Sequence, residues 1–273
     1  MDSPRPWTLR SLTVPGLSSG GGMASMSMRL NNFQLFARLV ARQGVAVCLV
    51  EFRNSVTPTE AAPTIAPFPA GLNDCFTGLE WLDANRAELG IGAVCVAGES
   101  GGGNLAIATA LKAKREGKLA LLPSGVFALC PYIAGNWPQD EQNNGTLGTS
   151  HIDNAQSPMT PLMQAVGYGL EAFQAGDPLA WPSFATVEEL EGYPRTAISV
   201  NEGDVFRDEG VLFYRKLLAA GVVAECRQVM GTPHAADINM FTTIPEVCLS
   251  TARAMADFAA DGEPLQRLAT AMP

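Results

Sequence analysis

The sequence predicts an α/β fold with a mostly parallel sheet and helices on both faces. Short apolar runs rich in Val, Ile and Ala recur along the 273 residues, and longer segments of helical pattern separate them. This alternation is typical of βαβ units around a buried parallel sheet. Hydrophobic residues make up 47% of the chain, enough for one large domain spanning residues 1–273.

The predicted strands are five apolar runs, each short enough to be one buried strand. They cover residues 45–52, 93–97, 125–133, 196–200 and 222–229. Residues 8–17, which Pro15 and Gly16 interrupt, are a further candidate.

The predicted helices lie between these runs. They cover residues 33–42, 70–87, 102–115, 208–220 and 245–259. Residues 51–69 contain four prolines and are predicted as a loop. Residues 134–194 are longer than a single connecting helix requires, so we predict a lid-like or irregular insertion there.

Charge and composition exclude several classes of partner. The net charge is −9, the isoelectric point is near 4.8, and no cluster of Lys or Arg is present. Such a surface repels phosphate backbones and anionic lipid, so we expect no nucleic acid partner and no stable membrane association. No segment has the composition of a lipid-spanning helix, and the first residues lack the apolar run of a signal peptide.

The six cysteines are scattered singly and form no C-x-x-C pair. This spacing argues against a structural metal and against a disulfide framework. We therefore expect the reducing environment of the cytoplasm.

The strongest chemical signal is the segment Gly98-Glu99-Ser100-Gly101-Gly102, which joins a predicted strand to a predicted helix. Gly-x-Ser-x-Gly in this context is typical of a nucleophile elbow, a strained turn that projects the serine hydroxyl. The free N–H groups of the following helix point at the same spot. Ser100 is therefore the candidate nucleophile.

The same glycines weakly resemble a nucleotide-binding loop. That interpretation requires an acidic residue about 20 positions later, at the end of the next strand. Residues 119–139 contain no carboxylate, so we discard the nucleotide-binding interpretation.

The base must be one of the two histidines in the chain. His234 follows the last predicted strand, in a turn from which a side chain reaches over the carboxyl ends of the sheet. His151 lies in the irregular region with no strand to position it. We therefore predict His234 as the base and His151 as a solvated loop residue.

The third partner should be a carboxylate between the serine and the histidine in chain order. Asp204 is the first candidate, because it follows a predicted strand directly before the turn into a helix. Glu202 is the second. Asp208 and Glu209 are explained as charges at a helix N-terminus, and a turn or capping role for Asp204 stays open.

Residues Gly20, Gly21 and Gly22 precede a predicted helix and suit an oxyanion hole. A glycine run lets backbone N–H groups turn toward a developing negative charge.

Together these motifs resemble the hormone-sensitive-lipase-like carboxylesterases of the α/β-hydrolase fold, of the bacterial and fungal type. The matching segments, in family order, are GGG at 20–22, PFPAGLNDC at 67–75, GESGGGN at 98–104, CPYIAGNWP at 130–138, NEGDVFRDEG at 201–210 and GTPH at 231–234. The resemblance spans residues 19–261. It implies the nucleophile, acid, base and oxyanion donors, which are Ser100, Asp204, His234 and the N–H groups of Gly21, Gly22 and Gly101.

Two departures from the family pattern bear on the expected structure. Ser19 stands where the family usually has the histidine of His-Gly-Gly-Gly, which loosens the expected oxyanion hole. Only 18 residues precede this motif, so the chain resembles an N-terminally shortened member. We therefore expect about six strands, a reduced or missing cap, and an uncovered sheet edge. An uncovered edge can pair with a second copy of the chain, so a homodimer is an alternative that stays open.

The implied function is hydrolysis of small-molecule carboxylic esters with short- to medium-chain acyl groups, without a metal or organic cofactor. Trp137 and Trp181, in the irregular region, are candidates for lining the acyl pocket, and a role in the core is an equal alternative. Amide or lactone hydrolysis by the same residues stays open. A further alternative is a catalytically impaired protein that persists as a binding module or remnant.

Overall fold

A single parallel sheet forms the centre of the molecule. The computed structural model describes residues 9–15, 31–60, 63–135 and 159–260. Within them, six strands pair in the order β2-β1-β3-β4-β5-β6, and every pair is parallel. The strands are β1 (Leu9–Pro15), β2 (Val45–Val50), β3 (Ile91–Glu99), β4 (Gly125–Leu129), β5 (Thr196–Asn201) and β6 (Ala224–Val229).

Helices cover both faces of this sheet, which confirms the predicted fold class. They are α1 (Asn31–Ala41), α2 (Ala70–Ala84), α3 (Arg86–Leu89), α4 (Gly101–Arg115), α5 (Met159–Gln174), α6 (Val187–Leu190), α7 (Arg207–Ala219), α8 (Ala236–Asn239) and α9 (Pro245–Ala260). Helices α1 and α9 pack on one face, whereas α2, α4 and α7 pack on the other.

The alternation of side chains along the central strands creates two cores. In β3, Cys95 and Ala97 belong to the core beneath α1 and α9, while Val94 and Val96 belong to the core beneath α4 and α7. All four side chains are buried. A strand buried on both faces reads as a continuous apolar run, which explains why the sequence pattern was visible.

Residues 134–194 differ in part from the predicted irregular insertion. They contain α5, which breaks at Gly169, and the short helix α6. Pro161 and two glycines weaken the helical signal of α5 in the sequence. Tyr168 of this helix is buried against Phe68 and Trp181, and such packing stabilises a helix of weak propensity. Residues 136–158 lie outside the described residues.

Because all strands are parallel, their carboxyl ends meet at one edge of the sheet. Ser100 follows β3, Cys130 follows β4, Asp204 follows β5 and His234 follows β6. Ligands and catalytic groups collect at this edge in open α/β sheets. As to membranes, the described helices include none whose length and apolar character would carry it across a bilayer.

Candidate active site

Ser100 occupies a strained turn between β3 and α4. Its backbone angles are φ 56° and ψ −120°, outside the conformations that a non-glycine residue ordinarily adopts. The turn is held by two backbone hydrogen bonds, in which Ser100 N donates to Leu129 O at 2.9 Å and Tyr132 N donates to Ser100 O at 3.1 Å. The side chain is buried, and its Oγ has no hydrogen-bond partner among the described residues.

The glycines after the serine allow α4 to approach the chain that follows β4. A Cβ on Gly103 would lie 3.0 Å from Pro131 Cα and 3.1 Å from Leu129 O, both backbone atoms. The next residue, Asn104, is buried and donates from Nδ2 to the carbonyls of Tyr132 and Ala180, each at 3.0 Å. The close approach at Gly103 and the two hydrogen bonds of Asn104 therefore hold the start of α4 against its neighbours.

His234 and Asp204 meet although 30 positions separate them in the chain. His234 Nδ1 lies 2.8 Å from Asp204 Oδ2, so the ring nitrogen donates to a buried carboxylate. The other oxygen, Asp204 Oδ1, accepts the N–H of Phe206 at 2.9 Å. The Phe206 ring lies edge-on to the imidazole with centroids 5.0 Å apart. These contacts fix the orientation of the imidazole and direct Nε2 away from Asp204.

A second buried carboxyl group lies on the opposite side of the imidazole. Glu99 Oε1 is 3.4 Å from His234 Nε2, and the Cys130 thiol lies 3.9 Å from the same oxygen. Burial raises the pKa of the Glu99 carboxyl well above its usual range; His234 opposes this rise and Asp204 adds to it. Sequence reasoning missed this contact, because it depends on the pairing of β3 with β4 and on the position of the turn after β6.

Backbone strain is concentrated at this site. Among the described residues, three non-glycine residues have positive φ: Ser100 at 56°, Cys130 at 32° and Ala235 at 55°. All three lie at or next to the groups just described. Such conformations persist only where surrounding contacts enforce them, and they cluster at functional sites.

The remaining acidic candidates have other contacts. Glu202 accepts the N–H of Gly231 at 2.7 Å, and Asp208 pairs with Arg207 at 2.9 Å. Glu209 lies in the first turn of α7, as predicted, but its Oε2 also accepts the N–H groups of Ile133 and Ala134 at 2.6 and 2.7 Å. It thereby positions the chain after β4, a function that the sequence did not reveal.

Trp181 is fully buried in an aromatic cluster rather than exposed on a pocket wall. Its ring packs edge-on against Tyr132, Tyr168 and Phe173, with centroids 5.2 to 6.1 Å apart. Tyr132 in turn contacts Phe206 in a tilted arrangement with centroids 4.7 Å apart, so ring contacts connect Trp181 to His234. Its role toward an acyl chain stays a prediction.

The structure brings Asp204 and His234 into contact and places Glu99, the residue before Ser100, 3.4 Å from His234 Nε2. Ser100 Oγ makes no hydrogen bond to the imidazole, so the catalytic assignment of Ser100, Asp204, His234 and Gly101 stays a prediction. The other predicted residues, Gly21, Gly22, Trp137 and His151, lie outside the described residues.

Comparison with known proteins agrees with the fold described above. Residues 11–238 match the model of a family described as having the alpha/beta hydrolase fold. The chain is 28% identical over 197 residues to carboxylesterase NlhH of Mycobacterium tuberculosis, covering 70% of this chain and 58% of that protein. It thus spans little more than half the length of this curated relative.

Solved structures are similar over more of the chain. The structure of esterase Est22 superposes with a TM-score of 0.83 at 45% identity, covering 93% of this chain and 73% of that one. Brefeldin A esterase, described as a bacterial homologue of human hormone-sensitive lipase, superposes with a TM-score of 0.84 at 36% identity, covering 93% and 69%. The chain therefore belongs to the α/β-hydrolase fold family, in its hormone-sensitive-lipase-like carboxylesterase branch.

Proposed function

We propose that the protein is a serine hydrolase that cleaves small-molecule carboxylic esters with short- to medium-chain acyl groups. The observation that carries this proposal is the 2.8 Å contact between Asp204 and His234 at the same edge of the sheet as a serine held in a strained strand-to-helix turn. Esterase activity in similar proteins supports the substrate class.

In the acylation step, Ser100 Oγ attacks the ester carbonyl carbon while His234 Nε2 takes the hydroxyl proton. Asp204 keeps the imidazole in the tautomer that leaves Nε2 available and stabilises the imidazolium that forms. The tetrahedral intermediate collapses when the imidazolium gives its proton to the leaving alkoxide, which departs as an alcohol. An acyl-enzyme ester on Ser100 remains.

In the deacylation step, water attacks the acyl-enzyme with His234 again as base, and the carboxylic acid and free Ser100 are released. The Gly101 N–H, at the first position of α4, has no partner within the helix and suits the role of oxyanion donor. The resemblance adds Gly21 and Gly22 as further donors. The reaction as written requires no metal or organic cofactor.

We further propose that Trp137 and Trp181 influence acyl-chain selection. Trp181 acts through the ring contacts that connect it to His234. Rates with p-nitrophenyl esters of increasing acyl length test this for Trp137→Ala and Trp181→Phe. An unchanged chain-length profile in both variants contradicts it.

The decisive variant for catalysis is Ser100→Ala, measured by hydrolysis of a short p-nitrophenyl acyl ester. We expect kcat to fall by a factor on the order of 10⁴ to 10⁶. Ser124→Ala is the matched control, because Ser124 is also buried but precedes β4 at the opposite edge of the sheet, where its hydroxyl donates to Ala259 O. Turnover retained in Ser100→Ala overturns the proposal.

A further inference from the structure

Three side chains of different chemistry converge on one point, and one of them is the predicted base, His234. Glu99 ends β3, Cys130 follows the adjacent strand β4, and His234 lies in the turn after β6. Their ligand atoms, Oε1, Sγ and Nε2, all lie within 4.8 Å of one another. Glu99 and Cys130 are buried, and the His234 side chain is 8% exposed.

The spacing of these atoms approaches that of a tetrahedral zinc site. Ligand bonds of about 2.0–2.3 Å at tetrahedral angles place neighbouring donor atoms about 3.3 to 3.6 Å apart. Glu99 Oε1 and His234 Nε2 are already 3.4 Å apart, and Cys130 Sγ is 3.9 Å from the same carboxylate oxygen. Cys130 Sγ lies within 4.8 Å of His234 Nε2, so the sulfur has to move closer to both other donor atoms before all three can bind one ion.

The imidazole is also oriented as zinc ligands are. Metal-bound histidines usually donate their second ring N–H to a carboxylate, which fixes the ring and raises its basicity. Asp204 makes this contact with His234 Nδ1 at 2.8 Å and is itself held by the Phe206 N–H. The arrangement that prepares Nε2 for a proton therefore also prepares it for a metal ion.

We propose that Glu99, Cys130 and His234 form an inhibitory site for Zn²⁺, in which the ion occupies the position of the proton that His234 would take from Ser100. A thiol and an imidazole select a borderline-soft ion over Mg²⁺ or Ca²⁺, which prefer oxygen ligands. Binding forms bonds from the metal to sulfur, nitrogen and oxygen, and the thiol proton and any proton on Glu99 pass to solvent. A fourth coordination position is left for water.

Metal binding itself does not depend on the proposed function, whereas the inhibition rests on it. The two are separated by using Co²⁺ as a spectroscopic probe on chelator-treated full-length protein. Wild type and the inactive Ser100→Ala variant should each bind one Co²⁺ with an absorption band of thiolate-to-cobalt charge transfer, and Zn²⁺ should remove the band. A wild type without this band overturns the proposal, whether or not the protein hydrolyses esters.

Variants then locate the site. Cys130→Ser should abolish the band and weaken Zn²⁺ inhibition of p-nitrophenyl ester hydrolysis by about 10- to 100-fold. Glu99→Gln should weaken Co²⁺ binding while retaining the thiolate band at saturation. Cys226→Ser, which removes a half-buried thiol on β6, is the matched control and should change neither measurement. A band or an inhibition constant that Cys130→Ser leaves unchanged overturns the proposal.

Discussion

Two buried polar clusters lie at the carboxyl end of the sheet and differ in how completely they are hydrogen-bonded. The loop cluster consists of Asn201, Thr232, Asp237 and Thr251. Asn201 Nδ2 donates to Thr232 Oγ1 at 2.8 Å and to Asp237 Oδ1 at 3.1 Å, and Thr251 Oγ1 donates to Asp237 Oδ2 at 2.9 Å. No buried side-chain oxygen or nitrogen of these described residues lacks a partner.

The site cluster consists of Glu99, Ser100, Asp204 and His234. Here Ser100 Oγ and Glu99 Oε2 have no hydrogen-bond partner among the described residues, although both are buried. Leaving such groups unpaired costs about 1–3 kcal/mol each. The difference indicates a division of roles: the loop cluster ties the segment carrying His234 to β5 and α9, whereas the site cluster keeps polar groups available for a ligand.

The largest effect should follow from breaking the site cluster. Asp204→Asn preserves an acceptor for the Phe206 N–H but favours the wrong imidazole tautomer, so we expect kcat to fall about 10⁴-fold with little loss of thermal stability. Ester hydrolysis and thermal unfolding measure the two effects. Glu202→Gln, at the second acidic candidate, should lose less than about tenfold; an equal loss in both variants contradicts the choice of Asp204.

Breaking the loop cluster should instead affect stability. Asp237→Ala leaves Asn201, Thr251 and the partly buried Arg227 without their carboxylate partner. We expect the free energy of unfolding to fall by about 3 kcal/mol, measured by urea denaturation, with kcat per folded molecule nearly unchanged. Glu80→Ala, which removes an exposed ion pair with Lys118, should cost only about 0–1 kcal/mol. Equal losses would contradict the structural role of the loop cluster.

The close approach behind the elbow predicts a smaller loss. Gly103→Ala places a Cβ 3.0 to 3.1 Å from Pro131 Cα and Leu129 O, so the backbone after β4 must shift by a few tenths of an ångström, and we expect about 1–3 kcal/mol of destabilisation. Gly78→Ala provides the comparison, because its Cβ would meet the Val50 side chain at 3.0 Å and alanine favours the helix. Chemical denaturation of both variants should rank Gly103→Ala as the less stable; the reverse order contradicts the argument.

The smallest effect should be the pH dependence that Glu99 adds to stability. The folded pKa of Glu99 is raised above its unfolded value of about 4.3. The contribution of this group to the free energy of unfolding is present in full below the unfolded pKa and is lost as pH rises through the folded pKa. In metal-free buffer, Glu99→Gln should therefore gain stability relative to wild type as pH increases. A difference between the two proteins that is constant from pH 4 to pH 8 contradicts the buried, protonated carboxyl.

The sequence was sufficient for the features that local chemistry determines. The elbow was visible because two glycines flank Ser100 between an apolar run and a helical pattern. Asp204 and His234 were predictable because they follow strands, and the ends of parallel strands meet at one edge. The catalytic roles of these residues stay predictions until they are measured.

The contacts that were missed depend on register and on packing between distant segments. Nothing in the spacing of Glu99 and Cys130 indicates that adjacent strands bring them beside His234. Glu209 has the sequence signature of an ordinary helix N-terminus, and only the fold reveals its contact with the chain after β4. Trp181, an equal candidate for pocket or core, is buried among aromatic neighbours, and its role toward an acyl chain stays a prediction.

The most direct test of the central claim is covalent labelling with a fluorophosphonate, followed by mass spectrometry of the digested protein. A serine activated by His234 and Asp204 should take one label, on the peptide that contains Ser100, and Ser100→Ala should take none. Folded wild-type protein that remains unlabelled, or that carries its label on another residue, would contradict the claim and favour the catalytically impaired alternative.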